Sequence, residues 1–467
     1  MWKSIYLDFI VTTLVLLCYL CNHLCDSQNE DSNNVSRQLP PPENPVFARE
    51  QLYIAPFRKS HDEALTCGQL IVSRGFKYER HFVTTEDGYI LQLYRIINPN
   101  AQAARGSKLI PVLLVHGIFT SCSSWMFNGF DGFIEPWVDG NPPNVRSNNL
   151  AFVLGNGEFD VWVANNRGTS YSMNHTRLDP YTDAKFWDYS FADMGEYDLP
   201  AMVDYVIAKT EHDKIVYIGY SQGTQQMFTK LALDPAFADK LYLNINIAPI
   251  AFDGDPKGIV SLAPNERLFY LALGKYVGPV PPLLAETNAG LTAFCTVEIN
   301  KPLCIAVYNY LFGPDRAMID RKRFQVLTSQ IDLISSKDAL HNLQSMHFNQ
   351  TRKYDYGRKK NQEMYGSDDP PKYPFENIPT YNLVLISGLN DYLASQIDVQ
   401  KLRNILRRRN CTNINDDCPD SNNRPYIDHV ITYPHWSHTD IIFGNRAYEY
   451  AHSVIVRIIR DFFDRTQ

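Results

Sequence analysis

This sequence predicts an α/β fold: a mostly parallel central sheet covered by helices on both faces and interrupted by a largely helical insertion. Three observations predict it. Short continuous apolar runs, Ile110–Val115 (IPVLLV) and Ile215–Ile218 (IVYI), read as buried strands of the parallel type. Helical patterns alternate with such runs along the chain. Between about 253 and 374 the strand rhythm stops, for a stretch too long to be a loop between two strands.

Taken in order, residues 1–25 read as a secretory signal. Lys3 gives a positive end, and Phe9–Leu20 is an apolar run of 12 residues, too short to span a bilayer. Nothing later is long and apolar enough, so no transmembrane segment is expected after signal removal. Residues 26–50, polar around Pro40–Pro42, read as a flexible linker or propeptide. The first half of the core spans 51–252. Its segment Phe76–Ile97 alternates apolar and polar residues about Glu86-Asp87-Gly88, a hairpin signal. Ile110–Val115 ends at His116-Gly117-Ile118-Phe119, and the strand Asp160–Ala164 leads into Asn165-Asn166-Arg167-Gly168. Asp193–Lys209 reads as an amphipathic helix, and Asn244–Phe252 as the strand that closes this half. The 253–374 stretch is expected to be an inserted cap. In it Leu268, Phe269, Leu271 and Ala272 give a helix an apolar face, and Tyr276–Leu284 is apolar and proline-rich. The second half, 375–467, brings strands at Tyr381–Ser387 and Tyr426–Tyr433 and a closing helix at Arg446–Phe463.

Composition narrows the function. The chain has 467 residues, 45% hydrophobic, enough for a large core. A net charge of −7 with both signs dispersed argues against a nucleic-acid partner, and Arg407–Arg409 reads as the solvated end of a helix. Beyond the signal stand Cys67, Cys122, Cys295, Cys304, Cys411 and Cys418. An oxidising compartment permits bridges. Cys295/Cys304 and Cys411/Cys418, close in sequence, are the expected pairs; whether Cys67 meets Cys122 does not follow from the sequence. No C-x-x-C pair stands among these six, so no zinc site is expected. Sequons at Asn34, Asn174, Asn349 and Asn410 fit a glycosylated secretory chain.

The chemistry centres on Gly219-Tyr220-Ser221-Gln222-Gly223. The bare G-x-S-x-G pattern arises by chance in roughly one chain of this length in six, so its context decides. Here it lies between a strand and the helical pattern Thr224–Leu233, where a serine in a sharp turn is exposed above the sheet. Its glycines are expected because strand and helix approach too closely for side chains. Serine needs a base, and the base an orienting group. In α/β-hydrolases the chain order is nucleophile, acid, histidine. Asp391, directly after the strand YNLVLIS, and His438, in the loop PHWSHTD after the last strand, fit that order. The rivals are placed less well: Asp398 in the next helix, where solvation is its expected role, His429 within a strand, and His435 on the same loop as His438. His341 and His347 fall in the cap. Two backbone donors are expected at the oxyanion: the N–H of Gln222, after the nucleophile, and that of Ile118, after an early strand. On this view the side chain of Gln222 matters less than its position.

With these residues in hand, the chain resembles the acid lipases of the α/β-hydrolase superfamily, the gastric and lysosomal acid lipases and their insect and nematode relatives. The resemblance runs from about Ala64 to near the C-terminus. It rests on the ordered series FKYERHFVTTEDGYIL, HGIFTSCSSW, NNRGTSYS, FWDYSFADMGEYDLPAMVDYV, GYSQGT, YDYG and SHTD. It implies an α/β-hydrolase fold with an inserted cap (lid), nucleophile Ser221, acid Asp391, base His438, and oxyanion donors Ile118 and Gln222. It implies no cofactor or metal, triacylglycerols and/or sterol esters met at a lipid–water interface as substrates, and a secreted or lysosomal destination. The spacing of Cys295 and Cys304 resembles a cap disulfide of gastric-type members. The chain departs from the family at Ser387-Gly388, where Gly-Gly is common. It also departs after Asp391, where a second aspartate is missing, and at Thr439-Asp440-Ile441 in place of Leu-Asp-Phe. Two other readings share parts of the pattern: a carboxylesterase for shorter esters, and a non-catalytic lipid carrier of the same fold.

Overall fold

The computed structural model describes residues 62, 65–105, 109–258, 260–261, 277–280, 292–314, 318–409 and 427–465. The expected signal, the linker, the cap helix 265–275, Cys411, Cys418, Asn34 and Asn410 lie outside the described residues. The alternation at Phe76–Ile97 does form a hairpin. Strands β1 (Lys77–Thr84) and β2 (Ile90–Ile97) pair antiparallel, from Lys77 opposite Ile97 to Thr84 opposite Ile90. β3 (Ile110–Val115), β4 (Phe159–Val163), β5 (Ile215–Tyr220) and β6 (Leu241–Ile247) follow.

Among the described residues these join β9 (Leu383–Gly388) and β10 (Ile427–Ile431) in an eight-stranded sheet of order β1-β2-β4-β3-β5-β6-β9-β10. From β4 to β10 every neighbouring pair is parallel; only the β1–β2 and β2–β4 pairings are antiparallel. The apolar runs face both ways, which is why they are continuous. Val112, Leu114, Val216, Ile218, Val384 and Ile386 belong to one buried apolar layer. Their neighbours Leu113, Val115, Ile215, Tyr217, Leu383 and Leu385 belong to the layer on the other face. At about 1.5–3 kcal/mol for each large side chain buried, two such layers fix the strand register firmly.

Several element boundaries differ from expectation. The strand read at Asn244–Phe252 runs from Leu241 to Ile247, because Ala248 turns into the left-handed region at φ 50° and Ile250 N–H bonds Thr224 Oγ1 instead of a strand. The strand read at Tyr426–Tyr433 covers Ile427–Ile431. The helix read at Asp193–Lys209 is helical from Phe191 to Thr210, with a π turn at Met194–Asp198 ahead of Pro200, which has no N–H to give. The closing helix likewise opens with a π turn at Tyr448–His452 and continues over Ser453–Asp464, burying Ile455, Ile458 and Ile459.

Among the described residues of the 253–374 stretch, none belongs to a strand of the main sheet. They hold helices Lys301–Phe312, Phe324–Ser329, Ser336–His347 and Arg358–Tyr365, and a ribbon of β7 (Pro279–Val280) with β8 (Ile334–Ser335). Among the described residues two disulfides are present, Cys295–Cys304 as expected and Cys67–Cys122, which the sequence left open. The sequon asparagines Asn174 and Asn349 are both exposed. Among the described residues no helix is long and apolar enough to cross a membrane.

Candidate active site

Ser221 stands at the end of β5, one residue before the helix Gln222–Leu233, with φ 51° and ψ −116°. This is a strained conformation for a serine, and it persists only because the surroundings impose it. The flanking glycines show how. A Cβ on Gly219 would lie 3.0 Å from the Gly223 carbonyl carbon, and one on Gly223 only 2.7 Å from the Val115 carbonyl oxygen at the end of β3. No side chain fits either gap.

The candidate partners converge on this serine from the same edge of the sheet, the carboxyl ends of the parallel strands. His438 Nε2 lies 2.8 Å from Ser221 Oγ, and His438 Nδ1 lies 2.9 Å from both carboxylate oxygens of Asp391. All three side chains are buried. Asp391 Oδ1 also accepts the Leu393 and Ala394 N–H groups at 2.9 and 2.8 Å, which fixes the carboxylate in the turn after β9. The His438 backbone is held from two sides. Its N–H donates to the Phe312 carbonyl at 3.0 Å, and its carbonyl accepts the Tyr220 hydroxyl at 3.2 Å. Next to it Thr439 shares a hydrogen bond with Tyr308.

The loop after β3 passes against the serine: a Cβ on Gly117 would meet Ser221 Cβ at 3.1 Å. His116 latches this loop. Its Nε2 lies 3.1 Å from the Asn166 N–H, so that nitrogen accepts, and Nδ1–H donates to the Gly117 carbonyl at 2.8 Å. Burial pushes its pKa down to about 4, which keeps the ring neutral and preserves this donor–acceptor pattern. Beyond Asn166, Arg167 is buried between Asp198, at 2.7 Å, and Asp87, at 2.6 Å, over the Tyr89 ring. Gln222, as the first residue of its helix, has an N–H without an intrahelical partner.

The rivals lie elsewhere. His435 is exposed and His429 sits half-buried in β10. Asp398 is a correction: it is buried, not solvated, accepting the Ser395 hydroxyl at 3.0 Å and Lys401 Nζ at 2.8 Å near the start of helix Gln396–Arg409. The Gln222 side chain, expected to matter less than its position, donates to Asp338 at 2.7 Å in a buried contact. His341 is buried against Phe191, bonded to Ser190 Oγ and the Arg352 carbonyl. His347 is exposed.

A model of the alpha/beta hydrolase fold matches residues 110–249, and one of the partial alpha/beta-hydrolase lipase region matches residues 67–129. The first spans β3 to β6 and the serine turn; the second spans the hairpin and the loop after β3. Over 410 residues the chain is 30% identical to Lipase lipl-1 of Caenorhabditis elegans, covering 85% of this chain and 92% of that protein. The chain belongs to the acid lipase family of serine ester hydrolases. Lipase 1 of Drosophila melanogaster is 32% identical over 343 residues, 73% of this chain and 71% of that one. Gastric triacylglycerol lipase of Rattus norvegicus is 30% identical over 351 residues, covering 73% of this chain and 84% of that one. Sequence reasoning gave no role to His116, which latches the loop after β3, or to Asp338, which meets the Gln222 side chain. A histidine directly after a strand was visible in the sequence; nothing local marks the aspartate.

Proposed function

We propose that the protein hydrolyses carboxylic ester bonds of neutral lipids, triacylglycerols and/or sterol esters, through a Ser221–His438–Asp391 triad. The observation that carries this is the continuous chain of contacts from Ser221 Oγ through His438 to Asp391. In the proposed reaction Ser221 Oγ attacks the ester carbonyl while its proton passes to His438 Nε2. The new oxyanion is held by the N–H groups of Ile118 and Gln222. Collapse breaks the bond to the alcohol, which takes the proton from His438, and leaves an acyl-Ser221. Water then attacks the acyl carbonyl, giving a proton to His438, and His438 returns that proton to Ser221 Oγ as the acid is released. Asp391 keeps the proton of neutral His438 on Nδ1 and stabilises the imidazolium. No step calls for a cofactor or a metal.

The 253–374 stretch acts as the cap that selects the acyl chain. Exposed apolar side chains at Phe294, Ile299, Leu303 and Tyr310 support contact with a lipid–water interface. The signal-like N-terminus, the bridges and the exposed sequons Asn174 and Asn349 support a secreted or lysosomal, glycosylated protein. Labelling with a serine-reactive phosphonate tests the nucleophile. Wild type should label and Ser221→Ala should not; equal labelling of both would sink the mechanism. Activity on emulsified trioleoylglycerol and a cholesteryl ester tests the substrate class. A protein active only on soluble short-chain esters would be a carboxylesterase instead.

A further inference from the structure

Resting on the acyl-transfer reading above, we propose that Asp338 and Asp332 are positioning residues that fix the two sides of the oxyanion pocket. Asp338 acts through the Gln222 side chain, and Asp332 through the Phe119 carbonyl. Gln222 Nε2 donates to Asp338 Oδ2 at 2.7 Å, and the Phe191 N–H donates to Asp338 Oδ1 at 2.7 Å. Asp338 is itself placed by its N–H on Ser335 Oγ at 2.9 Å, the cap of helix Ser336–His347. The peptide of Gln222 is therefore anchored, through its own side chain, to a segment remote from the serine helix. On the other side, the Asp332 N–H donates to the Phe119 carbonyl at 2.8 Å. Phe119 follows Ile118 directly and adopts a left-handed φ of 58°, which needs an external partner to hold it. Asp332 is in turn held by Ser170, whose N–H and hydroxyl reach its carboxylate at 2.8 and 2.9 Å.

The chemistry of both carboxylates supports a positioning role. Both are buried, and the partners named here are neutral donors, not cations. Burial raises both acids, Asp338 to about 7. A buried carboxylate without a cation is a poor source of stability, but two short bonds to fixed donors make it a stiff anchor. Small displacements at an oxyanion pocket are costly, about a hundredfold in rate for 1 Å.

The test is steady-state kinetics on the full chain with a soluble p-nitrophenyl ester. Gln222→Met and Asp338→Leu should each lower kcat by about tenfold or more with KM unchanged. The double variant should be no worse than the weaker single, because the two changes remove one link. Asp338→Asn should retain most of kcat, since the Gln222 amide can turn and accept from Asn Nδ2. Asp332→Ala, which frees Ser170 from the segment bonded to Phe119, should show the same kcat signature. Should Asp338→Leu fail to fold, Gln222→Met carries the test alone, with its unfolding midpoint as control. Wild-type kcat in Gln222→Met, losses that multiply in the double variant, or a rise in KM alone would each overturn the proposal. So would an Asp338→Asn variant as damaged as Asp338→Leu. If those variants behave as wild type while Ser221→Ala loses phosphonate labelling, only the positioning role fails. If Ser221→Ala labels normally, the acyl-transfer reading itself fails.

Discussion

His438 Nδ1 lies 2.9 Å from both carboxylate oxygens of Asp391, while the Leu393 and Ala394 N–H groups both point at Oδ1. The arrangement predicts the effect of Asp391→Asn. The two backbone donors require an acceptor at Oδ1, so the asparagine NH2 must take the place of Oδ2 and face His438. The imidazole then carries its proton on Nε2 and has no lone pair for the Ser221 proton. The variant should fold normally and lose kcat by about 10⁴-fold, read by steady-state kinetics beside a thermal unfolding curve. A loss of less than about tenfold would remove Asp391 from the triad.

Gly117→Ala probes the loop after β3. The added methyl would lie 3.1 Å from Ser221 Cβ and 3.0 Å from the Tyr220 ring, neither of which can retreat, because both are packed at the end of β5. The loop must move away from the serine, carrying the Ile118 N–H with it. Loss of one oxyanion donor typically lowers kcat by about 10²–10³-fold, so a loss approaching that range is expected, with phosphonate labelling slowed in parallel. Unchanged kinetics would show that Ile118 is not a donor.

Much of this site was legible because each of its parts follows a strand. IPVLLV and IVYI are continuous apolar runs, as is LVLI between Asn382 and Ser387, and Ile118, Ser221 and Asp391 come within a few residues of their ends. What was not legible depends on contacts distant in sequence. Gln222 and Asp338 are 116 positions apart, and Cys67 and Cys122 are 55 apart. No local periodicity encodes either pairing. The end of β6 was misread for a different reason. NINIAPIAF stays apolar past Ile247 because Ala248, Ile250, Ala251 and Phe252 are buried beside the sheet and not in it.

Buried titratable groups give the fold a pH dependence of two opposite signs. His341 is pushed down to about 3 by burial, from 6.5. The unfolded chain therefore takes up a proton that the native state refuses as pH falls below about 6.5, and stability is lost progressively toward about 3. His341→Gln should be less stable than wild type at pH 7.5, and that gap should narrow at pH 4.5. Asp338 works the other way. Its acid is raised to about 7 from 3.8, so its contribution is largest at low pH and is lost as pH rises between those values. Relative to Asp338→Asn, wild type should lose stability from pH 5 to pH 7.5. Urea unfolding of the three proteins at several pH values measures both slopes, and a pH-independent difference for either pair would refute the assignment.

The Cys67–Cys122 bridge connects the helix Cys67–Ser73 to the residues just past the Gly117–Phe119 loop. Both cysteines are fully buried, in the same apolar layer as Val112 and Leu114 of β3. The Cys122 N–H also donates to Asn165 Oδ1 at 3.0 Å, which ties the far end of this loop to the turn after β4. A bridge across 55 positions restrains the unfolded chain by about 4 kcal/mol on the loop-entropy account. Cys67→Ala/Cys122→Ala should therefore unfold at markedly lower urea, by about 2–4 kcal/mol. Because His116 and Asn165 still hold the loop, the folded fraction should keep most of its kcat. Loss of activity without loss of stability would mean that the bridge shapes the loop directly instead of securing the fold around it.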